Sequence, residues 1–155
     1  MDDFAKALND ILVEAYYNIL HIEEQAIKNN SRLQLSINEM HLIESIGKDG
    51  NIGKTISEIA EDLNITAPSV TIAVNKLVNK EYVEKMKCEK DGRVVRVRLT
   101  KFGCKIDAYH QFYHRNLVRE LSKDFNEQER EILFNAINKL NNFFKKSLEK
   151  SEESK

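Results

Sequence analysis

The stretch TISEIAEDLNITAPSVTIAVNKLVNK, residues 55–80, decides the fold. Thr55 is followed three positions later by Glu58, a capping box that opens a helix. Thr66 is a good N-cap for a second helix, and Pro68 fits its first turn, where a missing N–H costs nothing. The stretch therefore predicts two short helices that meet at a tight turn. The second has an apolar stripe at helical spacing, made by Val70, Val74, Leu77 and Val78.

A basic hairpin is predicted directly after these helices. YVEKMKC and VVRVRLT read as two strands around EKDGR, where Asp-Gly is a strong hairpin signal. In VRVRL, residues 95–99, valine and leucine alternate with arginine, so we expect the apolar side chains to be buried and the arginines to face outward. Arg93 would lie at the tip, where a narrow minor groove attracts a guanidinium.

The order helix, helix, tight turn, helix, hairpin predicts a winged helix-turn-helix within a mainly α fold. In this architecture the second helix of the pair enters the major groove of DNA and the hairpin, or wing, reaches alongside it. The predicted recognition-helix positions are Thr66, Ala67, Pro68, Ser69, Thr71, Ile72, Asn75 and Lys76. The predicted wing positions are Lys90, Asp91, Gly92, Arg93 and Arg96. Short hydroxyl and amide groups suit base edges, and Lys76 suits a phosphate.

Charge is segregated along the chain. The 155 residues have a net charge of only −1, yet residues 64–105 hold ten lysines and arginines against four acidic residues. That segment therefore carries +6 and the remainder −7. Such a distribution is expected of a nucleic-acid-binding face on an otherwise acidic body.

The remaining sequence predicts amphipathic helices and few other features. Helical spacing of apolar residues predicts helices over residues 3–30, 101–122 and 126–149, and Ser36 with Glu39 caps a shorter one that ends at Gly47. No apolar run approaches the roughly 18 residues that span a bilayer, and MDDFAKALND is acidic where a signal peptide is basic, so we expect a cytoplasmic protein with no membrane partner. Cys88 and Cys104 are expected to be reduced thiols. No catalytic grouping stands out, which argues against an enzyme.

TISEIAEDLNITAPSVTIAVNKLVNKEYVEK followed by DGRVVRVRLTKFG resembles the multiple-antibiotic-resistance regulator (MarR) family. The family's Asp-x-Arg wing tip and Leu-Thr-x-x-Gly turn are present as Asp91, Arg93, Leu99, Thr100 and Gly103. The resemblance implies a homodimeric repressor that binds a pseudo-palindromic operator in double-stranded DNA, with Arg93 in the minor groove and Asp91 orienting it. It also implies the domain organisation: residues 1–35 and 101–150 as a helical dimerisation region, 36–100 as the DNA-binding region, and 151–155 as a disordered tail.

Within this family the chain is similar to the repressors of bacterial fatty-acid synthesis. The similar phrases are ILHIEEQ, SINEMHLIESIGK, DGRVVRVRLTKFG and HQFYHRNLVREL. The similarity implies control of fatty-acid biosynthesis genes, with an acyl chain on acyl carrier protein as corepressor and no required cofactor. His41, His110, Tyr113 and His114 would then line the effector pocket or couple it to DNA binding.

The same histidines allow an alternative, a zinc-responsive repressor. His110 and His114 are spaced i, i+4 on one helix face, which suits a shared metal ion. Zinc-responsive family members have a similar glutamate-plus-three-histidine arrangement, for which Glu24 and His41 would supply the other ligands. The residues alone leave effector, metal and structural roles open.

Two further functions, a nucleotide-binding switch and a protein-interaction module, belong to other classes. GKDGNIGKT nearly spells a phosphate loop through Gly53, Lys54 and Thr55, but Lys48 stands where the first glycine belongs, and a helix rather than a strand precedes it. We therefore interpret it as a turn rather than a nucleotide-binding switch. The second is a protein-interaction module whose basic surface docks an acidic carrier protein without binding DNA.

Overall fold

The computed structural model describes residues 2–29, 33–87 and 94–153 of the chain, and within these ranges it contains six α-helices and a three-stranded antiparallel sheet. The elements are α1 (Asp3–Lys28), α2 (Ile37–Gly47), β1 (Lys54–Thr55), α3 (Ile56–Leu63), α4 (Ala67–Asn79), β2 (Val83–Lys87), β3 (Val95–Leu99), α5 (Lys101–Leu121) and α6 (Glu127–Glu153), with a 3-10 turn at Ser122–Asp124. The predicted mainly α winged helix-turn-helix is confirmed.

Local capping signals set the starts of the central helices. Ser36 and Thr55 each form a reciprocal capping box with the glutamate three positions later. Thr66 caps α4, and Pro68 lies in its first turn. Asn64 ends α3 in the left-handed conformation, at φ 50°, which turns the chain towards α4. The helix-turn-helix therefore follows from side chains within the stretch 55–80 itself.

The sheet has the strand order β1-β3-β2. The predicted β2–β3 hairpin is confirmed, and its register runs from Val83↔Leu99 to Lys87↔Val95. The sequence did not predict β1, whose two residues pair with Val97 and Arg96. Gly53 explains it: its φ is +69°, and a Cβ there would lie 2.4 Å from the Val97 carbonyl oxygen. The absence of a side chain lets the loop approach β3 closely enough to pair.

Residues 1–108 form the first of two compact units. Its core is mostly aliphatic and is formed by α1 and the segment after it, α2, α3, α4, the sheet and the start of α5. The buried core residues are Ile27, Leu33, Met40, Leu42, Ile43, Ile46, Ile59, Val70, Val74, Leu77, Tyr82, Val83, Val97, Leu99 and Ile106. The predicted stripe on α4 is confirmed, with Val78 partly buried beside it. The prediction for Val95 is wrong, because it is 40% exposed at the outer end of the hairpin, beyond the helices that cover Val97.

Residues 109–155 form the second unit, made by the C-terminal part of α5, the 3-10 turn and α6. Asn126 and Glu129 form a reciprocal cap at the start of α6. The guanidinium of Arg130 donates to the carbonyl of Ser122 at 2.7 Å, which closes the turn. The helix continues to Glu153, beyond its predicted end at residue 149, since no glycine or proline interrupts it.

Both long terminal helices leave large apolar side chains exposed. On α1 these are Phe4, Ile11, Val13, Tyr16, Tyr17, Ile19 and Ile22. On α6 they are Ile132, Phe134, Ile137, Phe143, Phe144 and Leu148. Most of the large apolar side chains of α1 are therefore uncovered within one chain. In the described ranges, no helix combines the length and the apolar character required to cross a membrane.

Candidate nucleic-acid interface

The outer face of α4 carries all eight predicted recognition positions. Thr66, Ala67, Pro68, Ser69, Thr71, Ile72, Asn75 and Lys76 are each exposed, whereas Val70, Val74 and Leu77 on the inner face are fully buried. Ile72, a large apolar side chain, is 60% exposed on this face. The helix N-terminus adds partial positive charge to this surface. The inner face thus anchors the helix and leaves the outer face free for a ligand.

The hydroxyl groups at the start of α4 are largely satisfied within the helix. The hydroxyl oxygens of Thr66 and Ser69 are 2.8 Å apart, and the Ser69 amide donates to Thr66 Oγ1. Thr71 Oγ1 donates its proton to the Ala67 carbonyl at 2.9 Å. Thr71 therefore keeps acceptor capacity and its methyl group for an outside partner.

Asn75 has a partner on β2 that the sequence does not predict. Lys85 Nζ on β2 donates to Asn75 Oδ1 at 2.7 Å. The signal in the sequence is only that Lys85 stands two residues after Val83, and so on the same side of the strand. The contact itself depends on how the sheet packs against α4, which the residues alone do not give.

The described part of the wing holds one of the predicted wing residues. Lys90, Asp91, Gly92 and Arg93 lie outside the described residues, so their predicted roles stay predictions. Arg96 Nη1 donates to the Gly53 carbonyl at 2.7 Å and lies 3.5 Å from Glu58 Oε2. Arg96 is therefore half-buried against the loop before α3, and it ties the hairpin to the helix-turn-helix.

Arg98 also has a partner within the hairpin. Its Nε donates to Glu84 Oε1 at 2.6 Å, across the strands at directly opposite positions. Both side chains are substantially exposed, so the pair adds little stability. Its effect is to offset part of the positive charge that the sequence places on the hairpin.

The Leu-Thr-x-x-Gly turn joins the hairpin to α5. Thr100 Oγ1 donates to the Glu81 carbonyl at 2.7 Å and accepts from the Gly103 amide at 3.0 Å, which caps α5. A Cβ on Gly103 would lie 2.0 Å from the Tyr82 carbonyl oxygen. Only glycine permits this approach, and the turn thus holds the base of the wing against the loop after α4.

Two lysines anchor the helices behind the outer face. Lys80, at the end of α4, donates to both carboxylate oxygens of Glu39 at 2.8 and 2.9 Å and to the Gln34 carbonyl at 2.7 Å. Burial opposes ionisation of Glu39, but hydrogen bonds from Lys80 and from the Ser36 amide outweigh it, so the pKa of Glu39 is lowered from its ordinary value of 4.5. The end of the recognition helix is therefore fixed to the start of α2.

Lys54 is buried in an ion pair with Asp62, whose carboxylate also accepts from Ser45 Oγ at 2.9 Å. The hydrogen bond from Lys54, and after it that from Ser45, lowers the pKa of Asp62 below its ordinary value of 3.8. Thr55 caps α3. The side chains of the near phosphate-loop sequence are thus engaged in holding β1 and α3, which supports our interpretation of it as a turn.

The histidine cluster divides between the two units. His110 Nε2 and His114 Nε2 are 2.9 Å apart, so one ring donates and the other accepts. His110 is buried, and the ring of Tyr113 lies beside both histidines. In the first unit, His41 Nε2 lies 3.5 Å from Glu23 Oε2.

Glu24, the predicted fourth member, forms an exposed ion pair with Lys28 at 3.3 Å, and the carboxylate beside His41 is that of the preceding residue, Glu23. Among the residues that the structure describes, no group of three or more histidine, cysteine, aspartate or glutamate side chains is arranged to hold a metal ion. A structural zinc site needs four ligands and a catalytic one three. The described residues therefore do not fit zinc, and the zinc-responsive alternative stays a prediction.

The recognition helix has an exposed polar face and a buried aliphatic face, a hairpin lies at its side, and the central segment is basic. These features define a winged-helix, DNA-binding type of transcription regulator. The family model described as the MarR family matches residues 35–95. The crystal structure of Streptococcus pneumoniae FabT in complex with DNA is similar at a TM-score of 0.87 and 31% sequence identity, covering 92% of this chain and 98% of that one. The chain belongs to the MarR family, which confirms the resemblance.

Two curated relatives are transcriptional regulators. The uncharacterized HTH-type transcriptional regulator YhjH of Bacillus subtilis is 28% identical over 70% of this chain and 61% of its own length. The transcriptional regulator ZitR of Lactococcus lactis is 25% identical over 74% of this chain and 79% of its own length. The chain thus spans about three fifths of YhjH. The family and these relatives are regulators rather than enzymes, in agreement with the prediction.

Proposed function

We propose that this chain is a homodimeric transcriptional repressor whose two recognition helices enter successive major grooves of a pseudo-palindromic operator. The observation that carries the proposal is the outer face of α4, where eight exposed residues lie over a fully buried aliphatic face. In a symmetric dimer the two half-sites lie about one helical turn apart, roughly 34–36 Å. Phosphate contacts supply salt-dependent affinity, and side chains of α4 select the sequence.

A second copy of the chain is the proposed partner of the exposed apolar faces. Aromatic and branched side chains cover much of α1, and in the second unit an open groove of about 470 Å³ lies between the end of α5 and the start of α6. This groove is lined by Val118, Leu121, Ser122, Phe125, Arg130, Leu133, Phe134, Ile137 and Asn138. Contiguous apolar patches of this kind mark association surfaces. Self-association through a two-fold axis covers the same patch on both copies.

The proposed corepressor is an acyl chain carried on acyl carrier protein. Support for it comes from the four phrases that resemble fatty-acid-synthesis repressors, three of which contain His21, His41, His110 or His114. In this proposal, His41 and the cluster of His110, Tyr113 and His114 respond to the acyl chain. A corepressor acts only if it binds the DNA-competent dimer more tightly than the other state.

The DNA-binding proposal is tested by titrating labelled duplexes with the full-length protein. We expect a dimer by sedimentation, micromolar or tighter binding to random duplex at low salt, and affinity that falls as salt rises. Selection from a random duplex pool is expected to return an inverted repeat. A monomer that binds no duplex at low salt contradicts the proposal, and binding of acyl carrier protein alone then favours the protein-interaction alternative.

The corepressor is tested on the selected operator. Acyl-loaded carrier protein is expected to increase operator affinity, whereas the same carrier protein without the acyl chain is the control and is expected to have no effect. Equal effects of the two contradict the acyl proposal. If instead a chelator lowers operator affinity and His110→Ala is indifferent to added zinc, the zinc-responsive alternative replaces it.

A further inference from the structure

The contact between Lys85 and Asn75 supports an inference that deepens the proposed DNA-binding function and rests on it. Lys85 Nζ on β2 donates to Asn75 Oδ1 on α4 at 2.7 Å. Both residues are exposed, and Asn75 belongs to the outer face of the recognition helix. We propose that Lys85 is a positioning residue that determines which base edge Asn75 reads.

The sheet register explains why Lys85 reaches the helix. Residues two apart on a strand face the same side, so Lys85 shares its side of β2 with buried Val83. Its cross-strand partner in the register is Val97, which is also buried. Lys85 is thus the next residue outward on the core-facing side of the sheet. Its long aliphatic stem carries the ammonium past the core to the outer face of α4.

The chemistry of the two groups fixes the orientation of the Asn75 amide. An ammonium has three donors and no acceptor, so the amide atom that faces Lys85 is the oxygen. The Nδ2 amino group is a donor like the ammonium, so it is not the atom that faces Lys85. Asn75 therefore presents its two Nδ2 donors to an outside partner, while Lys85 uses one of the two lone pairs of Oδ1 and holds the oxygen on its own side.

This orientation changes what Asn75 can recognise. A free asparagine reads adenine with both atoms, since Oδ1 accepts from the N6 amino group and Nδ2 donates to N7. With Oδ1 held towards Lys85, the amide is not turned to make this paired contact, and Nδ2 is the atom left to donate to a base. The pair therefore favours base edges that are rich in acceptors, the N7 and O6 of guanine or the O4 of thymine.

The test compares binding-site selections and single-base-pair titrations for the wild type and Lys85→Met. Methionine is unbranched like lysine but lacks the donors, and so frees Asn75 Oδ1. We expect preference at one base pair in each half-site to shift towards adenine by about tenfold, with other positions unchanged. Lys76→Met is the matched control: it removes a lysine expected to contact phosphate, and should weaken binding to all sequences alike.

A double-mutant comparison separates positioning from a simple charge effect. In an Asn75→Ala background, Lys85→Met should leave base preference unaltered, because the group that it positions is absent. If Lys85→Met weakens all sequences uniformly and keeps the wild-type preference, Lys85 is only a phosphate contact and the inference is overturned. A wild type that binds no duplex overturns the proposed function itself, and this inference with it. Circular dichroism and thermal unfolding verify that each variant is folded.

Discussion

At the scale of single residues, the carboxylate of Asp62 links three segments of the first unit. It accepts from Ser45 on α2 and from the buried ammonium of Lys54 on β1, and it lies on α3 itself. The hydrogen bond from Lys54 is the largest cause of its lowered pKa. Because the folded state holds this proton less tightly than the unfolded state, the pair stabilises the fold above the ordinary pKa of 3.8. That contribution is lost as pH falls from there through the lower pKa of the folded protein.

Replacing Asp62 by asparagine tests this pair. Loss of the carboxylate leaves the buried Lys54 charge without its counterion, so we expect the free energy of unfolding at pH 7 to fall by about 1–2 kcal/mol. The difference from the wild type should shrink as pH drops below 3.8, where the wild-type carboxylate itself becomes protonated. Urea unfolding at several pH values measures both effects. Asp49→Asn, at an exposed loop position, serves as the control, and a pH-independent difference for Asp62→Asn would contradict the account.

At the scale of one element, the inner face of the recognition helix α4 contributes to stability and its outer face to binding. Val74 is fully buried on its inner face, whereas Ile72, two residues earlier, is 60% exposed. Val74→Ala is expected to reduce the free energy of unfolding by about 1–3 kcal/mol through the cavity it leaves. Ile72→Ala should leave unfolding almost unchanged and weaken operator binding, because an exposed apolar group can contact a thymine methyl. Thermal unfolding and operator titration of both variants measure the two effects, and equal losses of stability would argue against the assigned faces.

Elements were predictable where their signals are local. The capping boxes at Ser36 and Thr55 and the apolar stripe of α4 each lie within a few residues, so the helices and the helix-turn-helix followed from the sequence. β1 was missed because two residues form a strand only when Gly53 meets Val97, more than forty positions away.

In the candidate site, too, local features were predictable from the sequence and long-range contacts were not. The outer residues of α4 were predictable from helical spacing, since the opposite face is uniformly aliphatic. The roles of Arg96 and Lys85 were not, because alternation along a strand gives the side on which a residue lies but not the partner that it meets. Glu23 and Glu24 are adjacent on a helix, and only the packing of α1 on α2 shows which of them lies beside His41.

Symmetry is the property of the whole molecule that the proposed function requires. The central segment carries +6 in a chain of net charge −1, so affinity for a polyanion must come from one surface rather than from the whole protein. Each protomer brings one such surface, and a two-fold dimer presents both to the same duplex. A substitution that removes one positive charge from the chain therefore removes two from the dimeric complex.

Lys76→Met measures this doubling directly. Each phosphate contact contributes about 0.9 to the slope of log affinity against log salt concentration, so loss of one contact per protomer should reduce the slope by about 1.8 in a dimer. Lys139→Met, in the second unit and outside the basic segment, should leave the slope unchanged. A reduction of about 0.9 would mean that only one protomer engages the duplex through this lysine. If the slope does not fall at all, Lys76 does not contact phosphate. The roles of Ile72 and Asn75 in base recognition are tested separately, by the operator titrations.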